Sequence, residues 1–168
     1  MPGQPSPAQV TEVRCRCGKV ALAAQGRPIL TSVCHCADCQ AAGRLLEARA
    51  GAAPILDATG GVAYVLFRKD RVHCLRGREQ LREHRLTAGT PTRRVVATCC
   101  NSFMFAEFTK GHWLSVVRDR IADGPAIARA PAEETKSVTF LLRLIAAWAR
   151  MGFRRPRIDY VQGALEDP

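Results

Sequence analysis

From residue 12 onward the chain alternates short runs of branched or aromatic residues with turn residues. Glu12–Arg16 and Lys19–Ala24 flank Gly18, which predicts two strands joined by a hairpin-like turn with Cys15 and Cys17 at its tip. Ile29–Val33 is a third β-rich run and delivers the chain to Cys34. The Ala- and Leu-rich stretch Gln40–Arg49 predicts a short helix. Val62–Phe67, Arg71–Leu75, Gln80–Leu86, Arg93–Thr98 and Phe103–Phe108 then follow as strands, separated by Gly, Asp or Asn. Short strands at this spacing predict a mainly β fold of antiparallel strands.

The pattern changes toward the C-terminus. Between Pro131 and Met151, apolar residues recur at 138, 141, 142, 145 and 148, the period of a half-buried helix. A helix over about 133–151 is therefore expected, with Glu133 and Glu134 in its first turn and Arg150 in its last, where they suit the helix dipole. Gly152 ends it, and the Leu141, Ile145 and Trp148 face is expected to pack on the sheet. The organisation read from these signals is a loose Pro- and Gly-containing tail over 1–10, a β domain over 11–110, and an extension over 111–168 that carries the helix.

Composition narrows the function classes. A chain of 168 residues with 47% hydrophobic content can bury a core and is not disordered. No apolar stretch is free of charge for long enough to span a membrane, since Arg143 and Arg150 interrupt the longest one. The first nine residues lack the features of an export signal, so a cytoplasmic location is expected. The formal net charge is +10, with 21 arginines against four lysines. The basic residues are scattered, and only Arg154, Arg155 and Arg157 cluster. A solvated basic surface follows, and nucleic-acid binding is not expected.

Cysteine spacing carries the chemistry. The eight cysteines fall into three tight groups, Cys15 and Cys17, then Cys34, Cys36 and Cys39, then Cys99 and Cys100, with Cys74 alone. In a reducing compartment such grouping points to metal ligation rather than disulfides. Cys36-Ala-Asp-Cys39 is a metal knuckle, and Cys34 brings a third sulfur within reach. Three protein ligands with an open position mark a catalytic zinc, four a structural one. Cys15 and Cys17 are half a site, which only a distant pair, Cys99 and Cys100, can complete. Seven ionised thiols with two divalent ions would lower the charge by about three, to roughly +7.

These motifs resemble the glutathione-dependent formaldehyde-activating enzyme and centromere protein V family. The resemblance rests on Cys15-x-Cys17-Gly18, on Cys34-His35-Cys36-x-x-Cys39-Gln40 and on a late cysteine group before Ser102, over roughly residues 12–108. It implies an Mss4-like β-tent built around zinc, with one or two Zn2+ per chain. Cys15, Cys17 and the late cysteines would hold a structural zinc, and Cys34, Cys36 and Cys39 a catalytic one. The implied activity is that of a carbon–sulfur lyase on a small thiol–aldehyde substrate, with glutathione as co-substrate. The competing class is a non-enzymatic zinc-stabilised β module that binds protein or nucleic acid through its basic face and C-terminal helix.

The late motif departs from the family pattern. The family has Cys-x-x-Cys-Gly-Ser/Thr, whereas this chain reads Ala97-Thr98-Cys99-Cys100-Asn101-Ser102. Adjacent side chains on a strand point to opposite faces, which leaves two arrangements open. Either a local turn brings both sulfurs to the first site, or Cys99 faces the Cys34 group and closes it. Of the remaining candidates, His35 is expected to point away from the metal. His73, His84 and His112 read as surface or core histidines, Cys74 as a small buried residue, and Asp38 as a turn residue or a substrate contact. Arg44 and Arg93 are the candidate holders of substrate carboxylates.

Overall fold

A computed structural model of the chain describes residues 9–122 and 132–166. The tail expected over 1–10 therefore lies almost wholly outside the described residues. Ten strands and two α-helices are present among those described: β1 (Val10–Arg14), β2 (Ala21–Gln25), β3 (Leu30–Cys34), α1 (Ala37–Glu47), β4 (Val62–Arg68), β5 (Val72–Arg76), β6 (Leu81–His84), β7 (Thr92–Ala97), β8 (Ser102–Phe108), β9 (Trp113–Val117), β10 (Ala132–Glu134) and α2 (Val138–Arg150). The protein is mainly β, as its strand pattern predicts.

Two sheets share the strands. One has the order β1-β2-β5, and the other, of seven strands, the order β10-β3-β4-β9-β8-β7-β6. All pairings are antiparallel except β10 on β3, which is parallel. Strand β9 runs between β4 and β8 in the middle of the larger sheet. The chain beyond residue 110 thus supplies sheet as well as helix, a role its short Trp-Leu-Ser-Val-Val run did not advertise.

Strand alternation decides what each face of the seven-stranded sheet does. Val65 and Phe67 of β4, Val95 and Ala97 of β7, and Leu114 and Val116 of β9 pack with Val13, Leu22, Ala24 and Val72 of the smaller sheet into one core. The opposite face carries Tyr64, Leu66 and Val96, which pack with Leu46 of α1 and with Phe140 and Leu144 of α2. The larger sheet is consequently covered on both sides.

Helix α2 begins five residues later than its pattern suggested. Ser137 is its N-cap, its hydroxyl accepting from the Phe140 N–H at 3.1 Å, a substantial share of what fixes a helix start. Glu133 and Glu134 belong to β10 rather than to a first helical turn. The buried face also differs from expectation. Phe140, Leu144 and Ala147 face inward, while Leu141 and Ile145 are 51% and 54% exposed. The helix carries two adjacent apolar stripes, and periodicity alone does not choose between them. Tertiary packing chooses: Phe140 and Leu144 join the cluster of Leu46, Tyr64 and Leu66, and His112 Nε2 meets the Leu144 carbonyl at 2.8 Å while its ring stacks on Trp148.

Candidate metal centres and the cavity beside them

The first cysteine group is built from two turns. Gly18, at φ 77°, reverses the chain between β1 and β2, and its N–H donates to the Cys15 carbonyl at 3.0 Å. The Val20 N–H donates to Cys15 Sγ at 3.2 Å, the N–H···S contact that holds a thiolate at a knuckle. The second turn lies between β7 and β8. There residues 98–101 leave the extended conformation, with Asn101 at φ 49°. This local turn resolves the adjacency of Cys99 and Cys100, because off the strand neighbouring side chains no longer oppose each other.

Both late sulfurs join the first site. Cys17 to Cys99 is 3.4 Å, Cys15 to Cys17 3.6 Å, Cys15 to Cys99 3.8 Å and Cys99 to Cys100 4.0 Å. A disulfide needs sulfurs about 2.05 Å apart. Tetrahedral zinc at about 2.3 Å from each sulfur sets them about 3.8 Å apart, and these four lie at that spacing. Ser102 supports the group, its hydroxyl lying 3.0 Å from Cys100 Sγ and accepting from the Arg16 N–H. Because Cys15 and Cys17 lie in a turn between strands of the smaller sheet and Cys99 and Cys100 in a turn between strands of the larger, this site ties the two sheets together. The arrangement in which Cys99 closes the second group is not the one adopted.

The electrostatics show why such a group wants a cation. Burial pushes the Cys15 and Cys99 thiols up. Cys100, although burial opposes it, is drawn down to about 6 by hydrogen bonds from Ser102 and Cys17. Four sulfurs this close cannot all ionise without a positive charge among them; a divalent ion removes the conflict.

The second group lies where β3 runs into α1. Cys34 ends the strand, and Cys36 is the N-cap of the helix, its Sγ accepting from the Cys39 N–H at 3.4 Å. Cys34 and Cys36 sulfurs are 3.3 Å apart, and all three sulfurs lie within 4.8 Å of one another. No fourth His, Cys, Asp or Glu donor joins them among the described residues. A hydrogen bond from Cys39 holds the Cys34 thiol down at about 5, and as the donor Cys39 is correspondingly pushed up. His35 points away, as its place between two ligands suggests. It bonds Thr59 Oγ1 at 2.7 Å, and Thr59 in turn bonds Asp57. A Cβ on Gly61 would lie 2.5 Å from Val33 and 2.7 Å from the His35 ring, so glycine lets β4 start close against this turn.

Beside these sulfurs is a cavity of about 290 Å3. Five strands of the larger sheet each contribute an alternating pair to its wall: Ser32 and Cys34, Tyr64 and Leu66, Trp113 and Ser115, Ala106 and Phe108, Thr92 and Arg94, with Phe140 of α2 and Thr135 above them. Cys34 and Cys39 both reach it. The Tyr64 hydroxyl is 3.9 Å from Cys39 Sγ. Burial, with Cys39 next to it, holds that phenol well above its usual range, so it stays protonated.

The match to known families now has its geometry. The family model of the glutathione-dependent formaldehyde-activating enzyme matches residues 10–135. The chain belongs to this family. The match runs past residue 110, through β9 and β10, in agreement with their place in the sheet. Among solved structures, a Rhodobacter sphaeroides protein aligns over 74% of this chain and 99% of its own, with 14% identity and a TM-score of 0.50, a likeness of fold alone. No curated protein sequence matches.

Neither arginine singled out from the sequence lines this cavity. Arg93 faces the main core side of β7, where Nε bonds Glu107 at 2.6 Å and Nη1 bonds Glu83 at 2.7 Å. It is fully engaged and reaches no cavity. Arg44 is exposed on α1 and is not among the cavity residues. Arg94, the next residue along the strand, turns to the opposite face and lines the cavity. Arg94 and Tyr64 are the site residues that reading the sequence missed, and strand alternation from Val95 and Val65 is the signal that points to both. His112 is a core residue, as expected. Cys74 lies on β5, partly buried and packed against the main core.

Proposed function

We propose that the protein is a zinc enzyme of this family that joins a thiol to formaldehyde, or releases formaldehyde from the adduct. In this reading the Cys15, Cys17, Cys99 and Cys100 site holds a closed structural zinc, and Cys34, Cys36 and Cys39 hold the catalytic one. The observation that carries it is the three-cysteine group itself, which has no fourth protein donor among the described residues and two of whose members, Cys34 and Cys39, line a cavity. Zinc held there supplies a fourth position where a substrate thiol binds and loses its proton.

The chain's residues do the remaining work. Cys36 fixes the helix start that sets the other two sulfurs, and the aromatic walls of the cavity exclude water from the reacting atoms. Tyr64 keeps a proton on its hydroxyl beside the sulfurs, for the carbonyl oxygen that becomes the product alcohol. One carbon–sulfur bond forms, the carbonyl π bond breaks, and the thiol's proton ends on oxygen, so thiol plus aldehyde gives the hydroxymethyl thioether with no oxidant.

The test is to load the protein with zinc, count the metal, and follow formaldehyde loss by NMR with glutathione and, separately, with the short thiol 3-mercaptopropionate. Two zinc ions per chain with thiol-dependent consumption support the reading. Two zinc ions without consumption overturn it. A second reading, a non-enzymatic module that binds protein, is favoured by the exposed Val138, Leu141, Leu142 and Ile145 stripe on α2; it predicts salt- or detergent-sensitive complexes and no turnover.

A further inference from the structure

Arg94 presents an unusual charge. It is 3% exposed, and no carboxylate among the described side chains lies within ion-pair distance of it. One of its terminal amino groups donates to the Asp38 carbonyl at 3.3 Å, which seats the guanidinium against the Cys36–Cys39 knuckle. Among the described residues its Nε has no hydrogen-bond partner. Buried polar groups are rarely left so, and an arginine buried without an anion is costlier still. The cavity wall holds this group among Phe108, Trp113, Phe140 and Leu66. Across the strand from Arg94 stands Ala106, too small to fill the space in front of it.

We propose that Arg94 is the anion-recognising residue of this cavity, and that the thiol it selects is a short one carrying a carboxylate near its sulfur. The proposal rests on the open three-cysteine site and names its substrate class. A planar guanidinium with a free N–H edge matches a carboxylate, and a thiol anchored at the knuckle needs only a few atoms to reach it. The cavity, of about 290 Å3, is lined by Cys34, Cys39 and Arg94 together and has room for such a molecule.

The test compares 3-mercaptopropionate, its amide 3-mercaptopropionamide, and propionate, using the full zinc-loaded chain and its cobalt-substituted form. Trp113 fluorescence reports binding in the cavity, and the cobalt–sulfur absorption band reports thiol binding at the metal. The proposal expects the acid thiol to bind at least about tenfold more tightly than the amide. Arg94→Met removes that preference at unchanged metal content, and Arg94→Lys restores part of it. Equal affinities for acid and amide in the unaltered protein overturn the proposal without any variant having to fold. So does an Arg94→Met that weakens both thiols alike or loses metal, which would assign Arg94 to balancing the metal–thiolate charge. Failure of the enzyme reading looks different: no thiol alters the cobalt band, while propionate still binds and still needs Arg94.

Discussion

The two cysteine groups offer the same ligand chemistry in different settings. The first gathers four sulfurs from two turns on two different sheets, at spacings of 3.4 to 4.0 Å, and leaves no position free. The second gathers three from one continuous segment at a strand–helix junction, and two of them line a cavity. What separates them is where the ligands lie along the chain. Ligands 84 residues apart, such as Cys15 and Cys99, make metal binding part of folding. Ligands within six residues, such as Cys34 to Cys39, are positioned by a local cap and need little of the fold to converge.

The largest effect therefore belongs to the first group. Cys15→Ala removes a buried ligand from the joint between the sheets and leaves three crowded sulfurs behind. Because structural zinc sites contribute folding energy outright, the variant is expected to lose cooperative thermal unfolding or to accumulate as insoluble protein. The same substitution at Cys39 should leave a folded chain that has lost one metal ion. Melting curves with metal counts on both variants check this. A Cys15→Ala protein that melts like the parent would break the contrast between the sites.

A middle-sized effect concerns the second group alone. Tyr64→Phe deletes the hydroxyl beside Cys39 and keeps the ring that packs edge-on against Phe103. Fold and metal content should be retained, while the rate of thiol–formaldehyde adduct formation falls about 10²-fold or more, the scale of a lost general acid. Steady-state kinetics should show the loss in kcat rather than KM, since the proton matters only as the carbonyl oxygen gains charge. An unchanged kcat would remove Tyr64 from the chemistry and leave the cavity with binding residues only.

These sites were unequally legible from sequence, for physical reasons. The strands and the two N-terminal cysteine motifs could be read because they depend on local alternation and local spacing. The joint role of Cys99 and Cys100 stayed open between two arrangements, because it depends on a turn that a non-glycine residue, Asn101, enters with positive φ. The exposed face of α2 was misread because two apolar stripes compete and only tertiary partners, such as Leu46, Tyr64 and His112, favour one. Strand β10 is three residues long and pairs in parallel with β3, so it has almost no pattern of its own. Arg94 was missed in favour of Arg93 for want of register: a one-residue shift on a strand exchanges the two faces of the sheet.

The smallest effect separates two jobs held by one residue. Cys36 is both a member of the open group and the N-cap of α1, accepting from the Cys39 N–H. Serine is a good N-cap, and alanine is a poor one. Cys36→Ser should lose metal from the second site while keeping the cap, and Cys36→Ala should lose both. Compared in their metal-depleted second-site state, the alanine variant is expected to be less stable by about 1 kcal/mol, read from denaturant midpoints at equal slope. If the two variants are equally stable, the helix start is held by packing of Ala42 and Leu46 alone. In that case the second group would owe its shape to tertiary contacts, as the first does, and the distinction between a locally built and a globally built site would narrow to the number of sulfurs.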